Sequence, residues 1–325
     1  MNQSVITFED ILKPVIWGGT RIAAFKGIEC DDSHIGESWE VSPMTGHESI
    51  VGNGPLKGKS LCQIVDEFGK EILGEKVFEK SGGRFPLLIK FIDSNDDLSI
   101  QVHPDDRLAH ERHNSLGKTE MWYSVAPADG AYLYAGFSRR VTPDEFRRQI
   151  ADHTLMGSLN KFMVKPGDVF YLPAGRVHSI GRGNFVLEIQ EASDITYRIY
   201  DYGRVGSDGK PRQLHVEESL GAIDFNDVGM ASANVQPRRG EFATLHKCEY
   251  FNTSLAEIDK PTDLPLATAE SFTIVIVTCG SLVLTDAQGS DYSLHQGQSA
   301  LIPASVATLT ASPTTPTVRV VTVTA

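Results

Sequence analysis

The chain has 325 residues, long enough for two domains, and carries 30 Lys and Arg against 42 Asp and Glu, a formal net charge of −12. That balance argues against non-specific nucleic-acid binding, which needs a basic face, yet it leaves room for a small anionic substrate held by a local basic cluster. A hydrophobic share of 41% and a charged share of 22% supply a core and argue against disorder.

In chain order, the first ten residues lack a basic head and an apolar run, so no signal peptide is expected. A helix is predicted over 60–69, with Ser60 as cap, helical apolar spacing and Gly69 as stop. Short-period alternation then predicts strands at 85–92, 98–103 and 120–125. A second helix is predicted over 142–151, with Thr142 at the N-cap, Pro143 at N1 and an apolar face of Phe146 and Ile150. Strands at 168–172, 185–190 and 195–200 follow, then a short helix at 215–223. Residues 224–240 are polar and contain Pro and Gly, and beyond them lie runs rich in Thr and Val. The boundary is therefore expected within 225–240, dividing the chain into units 1–230 and 231–325. The most apolar stretch, 272–284, is broken by Thr273, Thr278, Gly280 and Ser281 and is shorter than the roughly 20 residues a membrane span needs. Cys30, Cys62, Cys248 and Cys279 form no Cys-x-x-Cys, which predicts reduced thiols and a cytoplasmic protein.

A faint internal repeat links the two units. Gly167-Asp-Val-Phe-Tyr-Leu-Pro173-Ala-Gly175-Arg-Val-His178 aligns with Gly297-Gln-Ser-Ala-Leu-Ile-Pro303-Ala-Ser305-Val-Ala-Thr308. Each copy reads as a glycine, five strand residues, then Pro-Ala and a turn. The second copy has Thr308 where the first has His178, so only the first is equipped for metal binding there. Repeated β-units predict a mainly β fold of two related antiparallel barrels, one active and one structural.

The chemistry concentrates in the first unit. Residues two apart in a strand share a face. In Asp97-Leu-Ser-Ile-Gln-Val-His-Pro104, Ser99, Gln101 and His103 therefore face one way, with Leu98, Ile100 and Val102 opposite. In Gly117-Lys-Thr-Glu-Met-Trp-Tyr123, Lys118, Glu120 and Trp122 share a face. The Pro-Ala-Gly turn then delivers His178. Two imidazoles, a carboxylate and an amide oxygen suit a borderline divalent ion such as Zn²⁺, with Gln101 the weakest member because Gln is an uncommon ligand. Glu188, on a face with Val186 and Gln190, is a candidate acid or base. Arg198, on a face with Thr196 and Tyr200, is a candidate to hold charge on an oxygen. His110 and His113 sit at helical spacing in a segment charged all round, so a solvated face is expected. His34, His47, His153, His215, His246 and His295 have no ligand-like neighbours and are given no role. Arg139-Arg140, Arg147-Arg148 and Arg238-Arg239 read as surface charge.

The Gly-x5-Pro-x-Gly-x2-His segment resembles the second cupin motif. Taken with Ser-Ile-Gln-Val-His-Pro-Asp-Asp, Gly-Lys-Thr-Glu-Met-Trp-Tyr and the run from Glu188 to Arg204, it resembles the zinc-dependent mannose-6-phosphate isomerases, in their short bacterial form without a large helical domain. The likeness is specific over about residues 86–215, and Trp17-Gly-Gly also fits. It implies two cupin-like, jelly-roll β-barrel domains with a few short helices: a metal-binding catalytic unit at 1–230 and a degenerate cupin-like unit at 231–325. It implies one Zn²⁺ per chain on Gln101, His103, Glu120 and His178. Arg198 and Glu188 match the family's active-site arginine and carboxylate, and Lys90, Ser99 and Lys118 match its phosphate-binding positions. The implied reaction interconverts mannose 6-phosphate and fructose 6-phosphate through an enediol. The implied partner is a phosphosugar, with neither nucleic acid nor membrane. Glu188, Asp194 and a zinc-bound water all stay open as the proton carrier. Two alternatives on the same fold are a non-catalytic sugar-phosphate-binding cupin and another metal-dependent cupin enzyme.

Overall fold

The computed structural model describes residues 3–30, 34–205, 209–229 and 232–325. Antiparallel sheets dominate, as alternating and β-branched runs require. In the first half a seven-stranded sheet runs in the order Ala233–Asn234, Asp168–Leu172, Glu120–Ser124, Phe185–Glu191, Leu87–Asp93, Ile35–Val41, Ile11–Gly19. A five-stranded sheet faces it, in the order Tyr197–Tyr200, Ile100–Val102, His178–Ile180, Tyr132–Phe137, Leu159–Met163. The second half repeats the plan with a six-stranded sheet centred on Thr273–Cys279 and a four-stranded sheet centred on Leu309–Pro313 and Ser281–Asp286. All four sheets are open, so each half is a two-layer cupin-like sandwich rather than a closed barrel.

Side-chain alternation sorts the apolar residues into layers. Ile92, Trp122, Leu133, Ala135, Phe170 and Val186 fill the space between the two sheets of the first half. The back of the seven-stranded sheet presents Phe91, Met121, Leu187 and Ile189, which pack on Leu61, Ile64, Leu255, Ile274 and Val321. One continuous core thus joins the helix at Leu61–Phe68 and the six-stranded sheet to the first sandwich. The second sandwich is filled by Val275, Val277, Leu282, Leu284, Leu294, Ala300 and Ile302.

The strongest helix signals were local ones. Ser60 accepts from the Gln63 N–H while the Gln63 side chain accepts from the Ser60 N–H, a reciprocal cap on the helix Leu61–Phe68. Thr142 caps Pro143–Ala151, and the third predicted helix spans Val216–Leu220. The charged segment holding His110 and His113 is a helix, Asp106–His113, that buries only Leu108 and Ala109. Both histidines are exposed, as are Arg139, Arg147, Arg238 and Arg239.

The expected division between residues 230 and 231 falls outside the described residues. Strands cross between the halves on either side of it. Ile6–Thr7 pairs with Ser299–Ile302, and Ala233–Asn234 pairs with Asp168–Leu172. Buried Lys26 adds a polar tie: its Nζ donates to both Glu40 oxygens at 2.7 and 2.9 Å and to the carbonyl of Gly297 at 2.6 Å. No helix among the described residues is long and apolar enough to cross a membrane.

Candidate metal centre and active site

Two facing sheets supply the site. His178 lies opposite Gln101 in the five-stranded sheet, and Arg198 lies opposite Gln101 from the other side. In the seven-stranded sheet Gln190 lies opposite Glu120, and Glu188 lies opposite Trp122. Ile100 and Val102 pack outward and Gln101 turns toward the interior, as the strand period predicted. The strand covers only Ile100–Val102, however, and Leu98, expected on the face of Ile100, packs between the sheets with Ile92 and Trp122 because the chain is no longer extended in the ladder there. The Pro-Ala-Gly turn holds the set together, because the N–H of Gly175 donates to the carbonyl of His103 at 2.9 Å. Gly175 has φ +90°, a left-handed conformation that suits glycine.

His103, Glu120 and His178 are buried and offer ligand atoms all within 4.8 Å of one another. Each imidazole has its Nδ1 against a backbone carbonyl at 2.8 Å, His103 against Ile195 and His178 against Arg176. A carbonyl only accepts, so each Nδ1 carries the proton and each Nε2 presents a lone pair. Those lone pairs face Glu120: Nε2 of His178 lies 3.2 Å from Oε1 and Nε2 of His103 lies 3.6 Å from Oε2. Nε2 of His103 and both Glu120 oxygens make no hydrogen bond, although Lys118 Nζ approaches Oε2 at 3.1 Å. Acceptors aimed at acceptors in a buried space suit a cation between them. The residues present therefore fit a divalent metal of the kind that nitrogen and oxygen ligands bind. The Gln101 amide completes the ring, with its Nε2 3.3 Å from Nε2 of His178. Turning that amide over would present its oxygen instead.

Electrostatics separate the two carboxylates. Burial pushes Glu120 up to about 7, against the pull of Lys118. Burial also opposes ionisation of Glu188, but Lys90, Lys118 and the Trp122 indole outweigh it and hold Glu188 below the usual carboxylate range. Burial drives His178 down to about 3 and His103 well below its ordinary value, so both imidazoles are neutral, as metal ligation requires. Arg198 is half-buried, which together with nearby Arg212 lowers its affinity for the proton. Its Nη1 donates to the carbonyl of Gln213 at 3.1 Å, while its Nε is buried and unpartnered.

A family profile described as "Phosphomannose isomerase type I, catalytic domain" matches residues 6–124, and one described as "Mannose-6-phosphate isomerase, cupin domain" matches residues 241–322. The chain is 36% identical to the mannose-6-phosphate isomerase ManA of Bacillus subtilis, over 78% of this chain and 79% of that one. The chain belongs to the type I mannose-6-phosphate isomerase family. It is also 38% identical to the mannose-6-phosphate isomerase of Streptococcus mutans, over 67% of each chain. Among solved structures, the mannose 6-phosphate isomerase from B. subtilis superimposes with a TM-score of 0.83 at 32% identity, covering 98% of this chain and 99% of that one.

Within this isomerase-family fold, the remaining expected residues fall as follows. Ser99 is buried, and its hydroxyl donates to Oε1 of Gln101 at 3.3 Å. Lys90 is buried too; its Nζ lies 3.3 Å from Glu188 and 3.8 Å from Glu37. Despite burial, Glu37 and Glu188 hold it above its ordinary value, so the charge that interrupts its apolar strand is paired from two sides. Asp194 is exposed. Three contributors went unassigned from sequence. The Trp122 indole N–H donates to Oε2 of Glu188 at 2.8 Å. Trp39 lies beneath Lys90, 5.1 Å from ring centroid to Nζ. His215 brackets Arg198, accepting from its N–H at Nδ1 and donating its own N–H to its carbonyl. The parity of Trp122 with Glu120 signalled the first; Trp39 and His215 carried no local signal. A cavity of about 380 Å³ where the two halves meet, lined by Val77, Phe85, Asp106, Glu191 and Tyr250 among others, holds none of the candidate residues.

Proposed function

We propose that the chain interconverts mannose 6-phosphate and fructose 6-phosphate by moving a proton between C1 and C2 through an enediol, with zinc as its ion. The observation that carries this is the convergence of the buried ligand atoms of His103, Glu120 and His178, with those of His103 and Glu120 lacking a hydrogen bond, beside a carboxylate held low by two lysines and an arginine with a free buried N–H. A divalent ion on those three, with Gln101 as fourth ligand, supplies Lewis-acid stabilisation of negative charge on the substrate oxygen. Glu188 is ionised at neutral pH and serves as the proton carrier. Arg198 directs its guanidinium at the oxygen where charge develops. The family likeness implies that Lys118, Lys90 and the Ser99 hydroxyl bind the phosphate; they lie against Glu120, Glu188 and Gln101, so they would hold and orient the substrate close to the metal centre. Residues 1–230 form the catalytic unit and 231–325 its support. The free thiols of Cys30, Cys62, Cys248 and Cys279 fit a cytoplasmic setting.

A coupled isomerase assay on metal-stripped and zinc-restored protein tests the proposal. Turnover that disappears with the metal and returns with zinc is expected. Undiminished turnover in protein shown to be metal-free would overturn the metal-assisted reading, and no turnover in fully zinc-loaded protein would overturn the reaction.

A further inference from the structure

We propose that Trp122 is a positioning residue for the reaction, its indole N–H fixing the Glu188 carboxylate while its ring edge sets the face of His178. The inference rests on the reading of Glu188 as proton carrier. Trp122 is 1% exposed and stands two residues beyond Glu120, on the same face of the same strand. Its Nε1–H donates to Oε2 of Glu188 at 2.8 Å, while Lys90 approaches the other oxygen at 3.3 Å. An indole N–H donates and never accepts, so it holds an acceptor oxygen in place whether or not the carboxyl gains a proton elsewhere. The ring also meets His178 edge-on, with centroids 5.4 Å apart and an interplanar angle of 78°. One rigid side chain therefore contacts both a proton carrier and a metal ligand, and it fixes their separation. Catalysis is sensitive to such spacing, since small misplacements cost large factors in rate.

A packing role alone would not need the donor. The neighbours of Trp122 include Ile92, Leu133, Phe170 and Val186, all apolar. The second half shows what packing alone selects. Trp122 pairs with Phe170, and at the matching register of the repeat Val275 pairs with Ala300. Val275 faces Thr322 across the sheet where Trp122 faces Glu188. Where no carboxylate needs holding, an aliphatic residue fills the sandwich.

The test is Trp122→Phe, which keeps an aromatic ring and removes the donor, compared with Trp122→Tyr, whose hydroxyl restores one. In Trp122→Phe we expect kcat to fall about tenfold or more with KM within about twofold and metal content unchanged, and Trp122→Tyr to recover part of the loss. Wild-type kcat in Trp122→Phe, or a loss of turnover that only tracks a loss of metal, would overturn the proposal. An independent arm does not need these variants to fold. In ¹⁵N-labelled Glu188→Gln protein the Trp122 indole N–H resonance, identified by elimination with Trp17→Phe and Trp39→Phe, should move upfield as its anionic acceptor is lost; an unmoved resonance also overturns it. Full turnover in Glu188→Gln would instead remove the proton-carrier reading beneath it, a result distinguishable from an active Trp122→Phe alongside an inactive Glu188→Gln.

Discussion

The two halves of the molecule build one scaffold around different interiors. In both, a glycine with φ above +80° opens a strand that ends in Pro-Ala: Gly167 leads to Pro173, and Gly297 leads to Pro303. The residue before the proline pairs in the same way across the sheet, Leu172 with Glu120 and Ile302 with Thr273. The turn then diverges. In the first half Gly175 ties it to His103, and His178 enters the interior. In the second, Ser305 ties it instead to the carbonyl of Glu71, and Thr308 stays exposed. Charged groups line one sandwich while Val275, Leu284 and Val320 fill the other. The difference teaches that the backbone supplies positions and a handful of substitutions decides chemistry.

Removing the imidazoles should break the first half most severely. In His103→Ala and His178→Ala we expect loss of bound metal and a fall in turnover of about a thousandfold or more, measured by metal analysis beside the isomerase assay. Full metal occupancy in both variants would refute the ligand assignment. Arg198→Ala should keep the metal and the fold while turnover drops about a hundredfold; near-normal kcat would show that the guanidinium is dispensable. In the second half Leu284→Ala should destabilise by about 2–5 kcal/mol, as truncation of a buried leucine does, while kcat per folded molecule holds. A kcat that falls with unchanged stability would contradict a supporting role for that sandwich. The sharpest control has the smallest expected effect. Thr308→His restores the motif residue of the first copy, but Thr273 stands where Glu120 would be needed, so metal titration should detect no added site. A second bound ion would show that the comparison misplaces what the chemistry requires.

Much of this was legible in sequence because strand parity is local. Gln101 had to face away from Ile100 and Val102 once those were assigned to the core; parity failed at Leu98, which lies before the strand and packs between the sheets. Caps were legible for the same reason: Ser60 with Gln63 and Thr142 with Pro143 act within one turn of chain. The short helix Arg21–Lys26 was missed, having no side-chain cap and a single turn and a half of residues. Lys90 shows a different limit. Its interruption of an apolar strand signalled a reason for the charge, but Glu37 and Glu188 approach it from the two neighbouring strands, and no spacing in sequence encodes that.

The amino-acid order by itself indicated the strands Leu87–Asp93, Glu120–Ser124, Asp168–Leu172 and Phe185–Glu191, the turn that delivers His178 and the inequality of the two repeat copies, because each follows from neighbours within a few residues; strands such as Ile35–Val41 and Tyr132–Phe137 carried no such signal. Only the tertiary structure decided that His103, Glu120 and His178 share one buried space, that burial pushes Glu120 up while Lys90 and Lys118 pull Glu188 down, and that Trp122 holds one carboxylate oxygen. Those outcomes depend on which sheet faces which, on how much water is excluded between them, and on pairings that reach across dozens of residues, such as His178 with Gln101. Alternation fixes the side a residue takes; the closing of one sheet over another fixes what it meets there.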